Sequence, residues 1–180
     1  LTTIENVANW QVPRVDSLQY LDFKRGESLE PGRWVQAAFY ISLTEVAERS
    51  DNPFYNKWIA LKGEELNWQL GPKTFYGDDQ LIGQTYVWQY LKQQPEPQFL
   101  AATVKAFDDI IANPPTVSLE LTREIKNGIH VCQVRWCWAD ALFMAPPTWF
   151  ALSQATGDQR YADYAHQEVQ ATVDFLYDPE

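Results

Sequence analysis

A chain of 180 residues that is 46% hydrophobic and 21% charged has the composition of one folded globular domain, not of a disordered segment. A formal net charge of −10 excludes the basic stripe that nucleic acid or an anionic membrane surface needs, so neither is expected as a partner, and an anionic substrate would require a local Arg or Lys. No apolar run approaches the ~18 residues of a membrane span. The opening LTTIENVANW is not a cationic-then-apolar signal sequence. The first residue is Leu1 and not Met, which is compatible with a processed signal, and a periplasmic or secreted placement is favoured over a cytoplasmic one. Aromatic residues make up 14% of the chain and include eight Trp, enough to supply flat platforms for sugar rings as well as core filler.

In chain order, apolar residues at three and four spacing predict a first helix over 34–49, through Ala38, Ile41, Val46 and Ala47. Ser50-Asp51-Asn52-Pro53 breaks it. A second helix over 54–70 carries Phe54, Trp58, Leu61, Leu66 and Leu70, and Gly71-Pro72 stops it. The two read as one αα-hairpin. A second hairpin is predicted from helices over 79–93 and 99–113, with a turn at Pro95 and Pro97 and a stop at Pro114-Pro115. A third joins helices over 140–155 and 158–177, hinged on Thr156-Gly157-Asp158. Strand-like alternation is confined to 116–121 and 129–134, which read as loop hairpins and not as a sheet. Cys132 and Cys137 have no second Cys or His cluster beside them, and His130 and His166 are the only histidines. No metal site and no cofactor is therefore expected, and the cysteines read as two reduced, partly buried thiols, with a local disulfide as the alternative.

Superimposing the hairpins gives more than any single element. Ser50 to Tyr55 falls on Thr156 to Tyr161, Trp58 falls on Tyr164, and Pro95 to Phe99 falls on Asp51 to Tyr55. The same register carried back to the first helix of each pair aligns Trp34, Asp78 and Asp140. Hairpins stacked about an axis bring the starts of their inner helices to one end, so Asp78 and Asp140 would meet at one mouth. Paired carboxylates are common equipment for proton transfer to and from sugars, because proximity separates their pKa values. The competing reading is that an Asp at a helix start is simply an N-cap that faces the positive end of the dipole; a further possibility is that Asp79 is the cap while its neighbour Asp78 faces the cavity.

The segments YGDDQLIGQTY, RWCWADALFMAPP, TGDQRYADY and DFLYD resemble the unsaturated glycuronyl hydrolases, specifically the unsaturated rhamnogalacturonyl hydrolases of glycoside hydrolase family 105, near relatives of family 88. The resemblance runs from about Trp34 to Asp178, and W-x-D-A-L-F-M-A-P is its most specific part. It implies an all-α (α/α)6 toroid with the site at the cavity mouth. It also implies that Asp140 is the general acid and base, that Asp78 is its partner, and that Trp138 lines the sugar site. The implied substrate is a 4,5-unsaturated uronic acid at the non-reducing end of a pectin (rhamnogalacturonan) oligosaccharide left by a lyase. Asp140 would protonate C4 of the enol ether and then activate water at C5, giving a hemiketal that falls apart and releases rhamnose or another sugar. Family members often carry His after the paired Asp; this chain has Gln80, which receives no catalytic role.

Around these acids, Trp138 reads as the cavity-facing tryptophan and Trp136 as core, because the two alternate across Cys137. Arg135 is a candidate partner for the uronate carboxylate or a structural ion pair, and Gln84 and Tyr86 are candidates for sugar hydroxyls or ordinary helix-face residues. Three hairpins are visible where the resemblance implies six. Residues 1–180 therefore read as a single helical-hairpin unit, the N-terminal half of a larger catalytic domain, whose partners would be the oligosaccharide and either a missing C-terminal half or another copy of itself. The reading from a different class is a non-catalytic helical-repeat binding module, which would leave Asp78 and Asp140 in separate capping roles.

Overall fold

The computed structural model describes residues 2–16, 32–92 and 95–178. Helix α1 (Thr2–Gln11) and a 3-10 turn (Val12–Arg14) lead to α2 (Trp34–Arg49), which spans the predicted 34–49, and α3 (Phe54–Glu65). Next come a single turn, α4 (Gly77–Gln80), and then α5 (Ile82–Lys92) and α6 (Gln98–Ala112). A two-residue hairpin, β1 (Ile125–Lys126) with β2 (Ile129–His130), and a 3-10 helix (Val131–Arg135) precede another single turn, α7 (Ala141–Met144). α8 (Pro146–Thr156) and α9 (Gln159–Leu176) complete the described chain. The predicted end of one helix at Gln93 lies outside the described residues.

The architecture is all-α: three consecutive αα-hairpins, α2/α3, α5/α6 and α8/α9, with the first helix of each on the inside. α5 packs between α2 and α8, and each outer helix covers its own partner. The repeat equivalents Tyr55, Phe99 and Tyr161, one at the start of each outer helix, are all buried. The central cluster is built on Trp149 of α8, whose indole stacks on Phe107 of α6 with centroids 3.7 Å apart and on Tyr164 of α9 at 4.5 Å.

Four departures from the predicted elements have local causes. α3 stops at Glu65 and not at Leu70, because Asn67 and Trp68 both adopt positive φ, at 50° and 55°. That turn folds the Trp68 ring back onto Gly63, where a Cβ would lie 2.2 Å from the indole, so the close approach requires glycine. The helix predicted over 140–155 is broken at Ala145, since neither Pro146 nor Pro147 has an N–H to continue the ladder. No strand forms over 116–121; the hairpin instead pairs Ile125 with His130 and Lys126 with Ile129 around Asn127-Gly128, whose φ values of 54° and 77° suit a tight two-residue turn. Lastly, α1 docks Ala8 against Leu43, Val46, Ala47, Tyr55 and Ile59 while Ile4, Val7 and Trp10 stay exposed, and this mixed face left no clear apolar stripe in the sequence.

The inner helices α5 and α8 approach closely at Gly83 of α5, where a Cβ would sit 2.6 Å from Thr148 Cγ2 and 3.2 Å from Leu70 Cδ2. Gly83→Ala is expected to destabilise the fold by about 1–3 kcal/mol through overpacking. Adding Thr148→Ser, which deletes the clashing methyl, should recover part of the loss in a thermal or urea melt. An unchanged midpoint for Gly83→Ala would show that the crossing is looser than described.

Candidate active site

One cavity of about 620 Å³ opens at the end where the inner helices begin. Trp34, Asp78 and Asp140, the three positions aligned by the repeat register, all line it. The other walls include Arg33, Lys73, Tyr76, Asp79 and Met144, the hairpin residues Gly128, Ile129 and His130, and Gln133 and Trp138. A narrower crevice continues from it between Tyr76, Gly77, Asp78, Gln133, Trp136, Cys137, Trp138, Asp140 and Ala141.

The acids meet because the one-turn helices that carry them are packed together. Gly77 of α4 lies against α7, where a Cβ would be in ordinary van der Waals contact, 3.5 Å from Met144 Cβ and 3.6 Å from Ala141 Cβ. Asp78 sits in the first turn of α4, behind the N-cap residue Tyr76, and Asp140 occupies the N-cap position of α7, where its side chain makes no cap hydrogen bond. Asp79 is buried and accepts the Lys73 backbone N–H at 2.7 Å while pairing with Arg33 at 3.4 Å. The Asp79 carbonyl also accepts the Gly71 N–H at 2.8 Å. Asp79 thus fastens the loop over 71–76 to α4, and its neighbour Asp78 faces the cavity.

The three carboxylates differ in environment. Burial is the main cause that raises the Asp78 pKa from its ordinary value; a hydrogen bond from Tyr76 opposes the rise, and the charges of Asp140 and Asp79 add to it. The Tyr76 hydroxyl, held protonated by burial and by Asp78, is also hydrogen-bonded to Gln133. Gln133 in turn accepts the His130 backbone N–H at 2.8 Å through its side-chain oxygen. Asp140 is exposed to the cavity beside Trp138, itself 41% exposed and 6.1 Å from the His130 ring.

The segment between hairpin and acid is held from below. Cys132 and Cys137 are joined by a disulfide, with Cα atoms 5.6 Å apart, which overturns the expectation of two reduced thiols. The reason is local: Trp136 takes a left-handed conformation, φ 57°, and turns the 3-10 helix back on itself. In the chain-entropy account, closing so short a loop contributes about 2 kcal/mol. Trp136 is buried in the Trp149 cluster, and its carbonyl accepts from Thr172 Oγ1 at 3.2 Å.

Three residues near the acids in sequence do not line the cavity. Arg135 forms a two-bond pair with Glu168 of α9, at 2.9 and 3.1 Å, and donates to the Val117 carbonyl at 3.1 Å. Gln84 donates to the carbonyls of Phe143 and Met144 at 2.9 and 3.2 Å, satisfying acceptors at the end of α7. Tyr86 is buried in the core and donates to the Gln69 carbonyl at 3.0 Å. Conversely, Trp34, Lys73, Tyr76, His130 and Gln133 line the cavity without having been singled out as site residues. Trp34 is the position in register with the two acids; Lys73 and Tyr76 come from a loop, and His130 and Gln133 from the two-residue β2 and the 3-10 helix, segments too short to carry a periodic signal.

The family model for glycosyl hydrolase family 88 matches residues 3–180, and the chain belongs to that family. It is 34% identical, over 98% of its length, to an unsaturated 3S-rhamnoglycuronyl hydrolase of Alteromonas sp. (strain LOR), of which it covers 44%. A protein of the same name from Formosa agariphila is 27% identical over 85% of the chain, which covers 40% of that relative. The chain thus spans less than half the length of these curated relatives. Among solved structures, a family 88 glycosyl hydrolase from Bacteroides vulgatus superimposes with TM-score 0.65 at 18% identity, over 97% of this chain and 49% of the other. A protein described as a polysaccharide lyase does so with TM-score 0.67 at 18% identity, over 96% and 48%. At that identity the likeness establishes the fold alone.

Two outcomes follow from the charges at this site. Arg135→Ala is expected to cost about 3–5 kcal/mol, because it leaves the Glu168 carboxylate buried without its partner. Arg135→Met combined with Glu168→Leu should restore most of the loss in chemical denaturation, and a near-neutral single variant would exclude the structural role. For Asp78 the sign is opposite to that of a salt-bridged acid: its folded-state pKa is raised, so its contribution is favourable at low pH and is lost as pH rises through the folded value. Asp78→Asn should therefore melt higher than the parent at pH 7, with the difference shrinking towards pH 4; a lower melting temperature at pH 7 would contradict this.

Proposed function

We propose that the cavity belongs to a glycoside hydrolase that removes a 4,5-unsaturated uronic acid from the non-reducing end of lyase-generated oligosaccharides by hydrating its vinyl ether. The observation that carries the reading is the convergence of Asp78 and Asp140 on one cavity in a chain of this family, beside the exposed ring of Trp138. Asp140 delivers its proton to C4 of the enol ether, and positive character develops at C5 and the ring oxygen. As carboxylate, Asp140 then takes a proton from water as the water oxygen bonds to C5. The hemiketal opens, the glycosidic C–O bond breaks, and the leaving sugar departs with its hydroxyl restored. Asp78, raised in pKa and held by Tyr76, orients the uronyl ring and stays protonated more readily than a free carboxylate. Trp34 and Trp138 supply apolar faces for the sugar.

The names of the two curated relatives support rhamnose as the leaving sugar. We take residues 1–180 as the N-terminal half of a ring whose other hairpins close the far side of the cavity, a reading supported by the share of the relatives that the chain covers. The buried disulfide suits a periplasmic or secreted setting. A peptide-binding solenoid would have no need of two acids directed into one cavity, which weighs against the binding-module reading.

The test follows the ultraviolet absorbance of the conjugated uronyl double bond with unsaturated oligosaccharides of several linkages. It uses both the 180-residue chain and the longest polypeptide that its gene encodes. The longer polypeptide should bleach the signal, and Asp140→Asn should slow it by about 10²- to 10⁴-fold. The isolated chain should be inactive or nearly so. Full activity in the Asn variant would remove Asp140 from the mechanism, and turnover by the isolated chain that Asp140→Asn abolishes would overturn the half-cavity reading.

A further inference from the structure

We infer that Lys73 is the cation that receives an anionic substituent of the bound sugar, a carboxylate or a sulfate ester; this rests on the reading of the cavity as a sugar site. A cavity lined by Asp78, Asp79 and Asp140 in a chain of net charge −10 repels an anionic ligand, so binding one requires a positive group on the cavity wall. Arg135, the candidate nearest the acid in sequence, is committed to Glu168 and Val117 and does not line the cavity. Arg33 lines it but is paired with Asp79 at 3.4 Å.

Lys73 differs from both arginines. Among the described residues its ammonium forms no ion pair: Nζ sits over the Tyr76 ring, 5.4 Å from the centroid, and beside Gly128 at the hairpin tip. Gly128 has no side chain to cover it, and a Cβ there would stand 3.6 Å from Nζ. The main chain beneath is fixed at both ends, since the Lys73 N–H donates to Asp79 Oδ2 at 2.7 Å and its carbonyl accepts the Tyr76 N–H at 2.8 Å. The ammonium is thereby held across one aromatic ring from the hydroxyl that bonds Asp78. A flexible stem ending in a compact, three-donor point charge suits a single anionic group presented at the rim.

Two measurements test this, one of which does not depend on turnover. In the longest polypeptide that the gene encodes, Lys73→Gln should raise KM for anionic substrates by about tenfold with little change in kcat, and Lys73→Arg should recover most of the loss. The uronate methyl ester, and separately an oligosaccharide lacking sulfate, should identify which anion is read: the substrate that has lost the contacted charge becomes insensitive to Lys73→Gln. Calorimetric titration of the same proteins with glucuronate, with methyl glucuronate ester and with a sulfated monosaccharide provides the binding arm. Preference for an anionic probe that disappears in Lys73→Gln supports the assignment even where no hydrolysis is seen, which would instead count against the proposed reaction. Equal effects of Lys73→Gln on charged and neutral ligands, or no effect on either, would overturn it.

Discussion

The buried carboxamide of Gln80 ties the mouth of the cavity to the core beneath it. Its Nε2 donates to the Thr74 carbonyl at 2.7 Å, its Oε1 accepts the Trp149 indole N–H at 2.8 Å, and its backbone carbonyl accepts from Thr148 Oγ1 at 3.2 Å. One residue at 1% exposure thus joins the loop over 71–76, the short helix that carries Asp78, and the inner helix that follows Asp140. An amide buried in this way is tolerable only because both its donor and its acceptor are used, and an apolar replacement would strand the Trp149 N–H in the middle of the aromatic cluster. The indole held by Gln80 is the one that stacks on Phe107 and Tyr164, so the position of the acids and the packing of two outer helices are set by the same bond.

Three carboxylates that crowd one site would ordinarily repel each other into disorder, and the structure separates them by assigning each a different environment. Asp79 is removed from water and neutralised by Arg33 and by a backbone N–H. Asp78 is partly buried, which shifts it towards its protonated form, and the hydrogen bond from the Tyr76 hydroxyl works against that shift. Asp140 faces the cavity from a helix start with no hydrogen bond from the turn that follows. Differences of this kind allow acids of one type to take different parts in proton transfer.

The hairpins were legible because their inner faces follow the helical period and because Pro and Gly mark their ends. The register that aligned Trp34, Asp78 and Asp140 survives in the fold as three helix starts around one cavity. What failed was proximity along the chain as a guide to the site. Arg135 and Tyr86 lie close in sequence to the acids and point elsewhere, because a left-handed residue at Trp136 and the phase of α5 decide direction. Lys73 arrives from a loop, His130 from the two-residue β2 and Gln133 from the 3-10 helix, short segments whose conformation depends on contacts such as that of the Lys73 N–H with Asp79. The disulfide likewise required knowing that the chain reverses between its two cysteines, and spacing alone is silent on that.

The proline pair after Asp140 shows how sequence and site are coupled. A continuous helix over 140–155 would have fixed the acid through its own backbone ladder. Pro146 and Pro147 remove two donors and end α7 after one turn: the Phe143 carbonyl loses the N–H that residue 147 would supply in a continuous helix, and the Thr148 N–H, four residues beyond Met144, goes to the Ala145 carbonyl instead. Gln84 of α5 donates to the Phe143 and Met144 carbonyls from across the interface, and α4 packs on α7 at Gly77, where a Cβ would meet Met144 and Ala141 in ordinary van der Waals contact. Orientation of Asp140 therefore depends on the neighbouring hairpin more than on its own helix. Gln84 is thus better placed to hold the acid-bearing turn than to touch sugar, and the two carboxylates keep their relation because each is carried by a turn braced against the other.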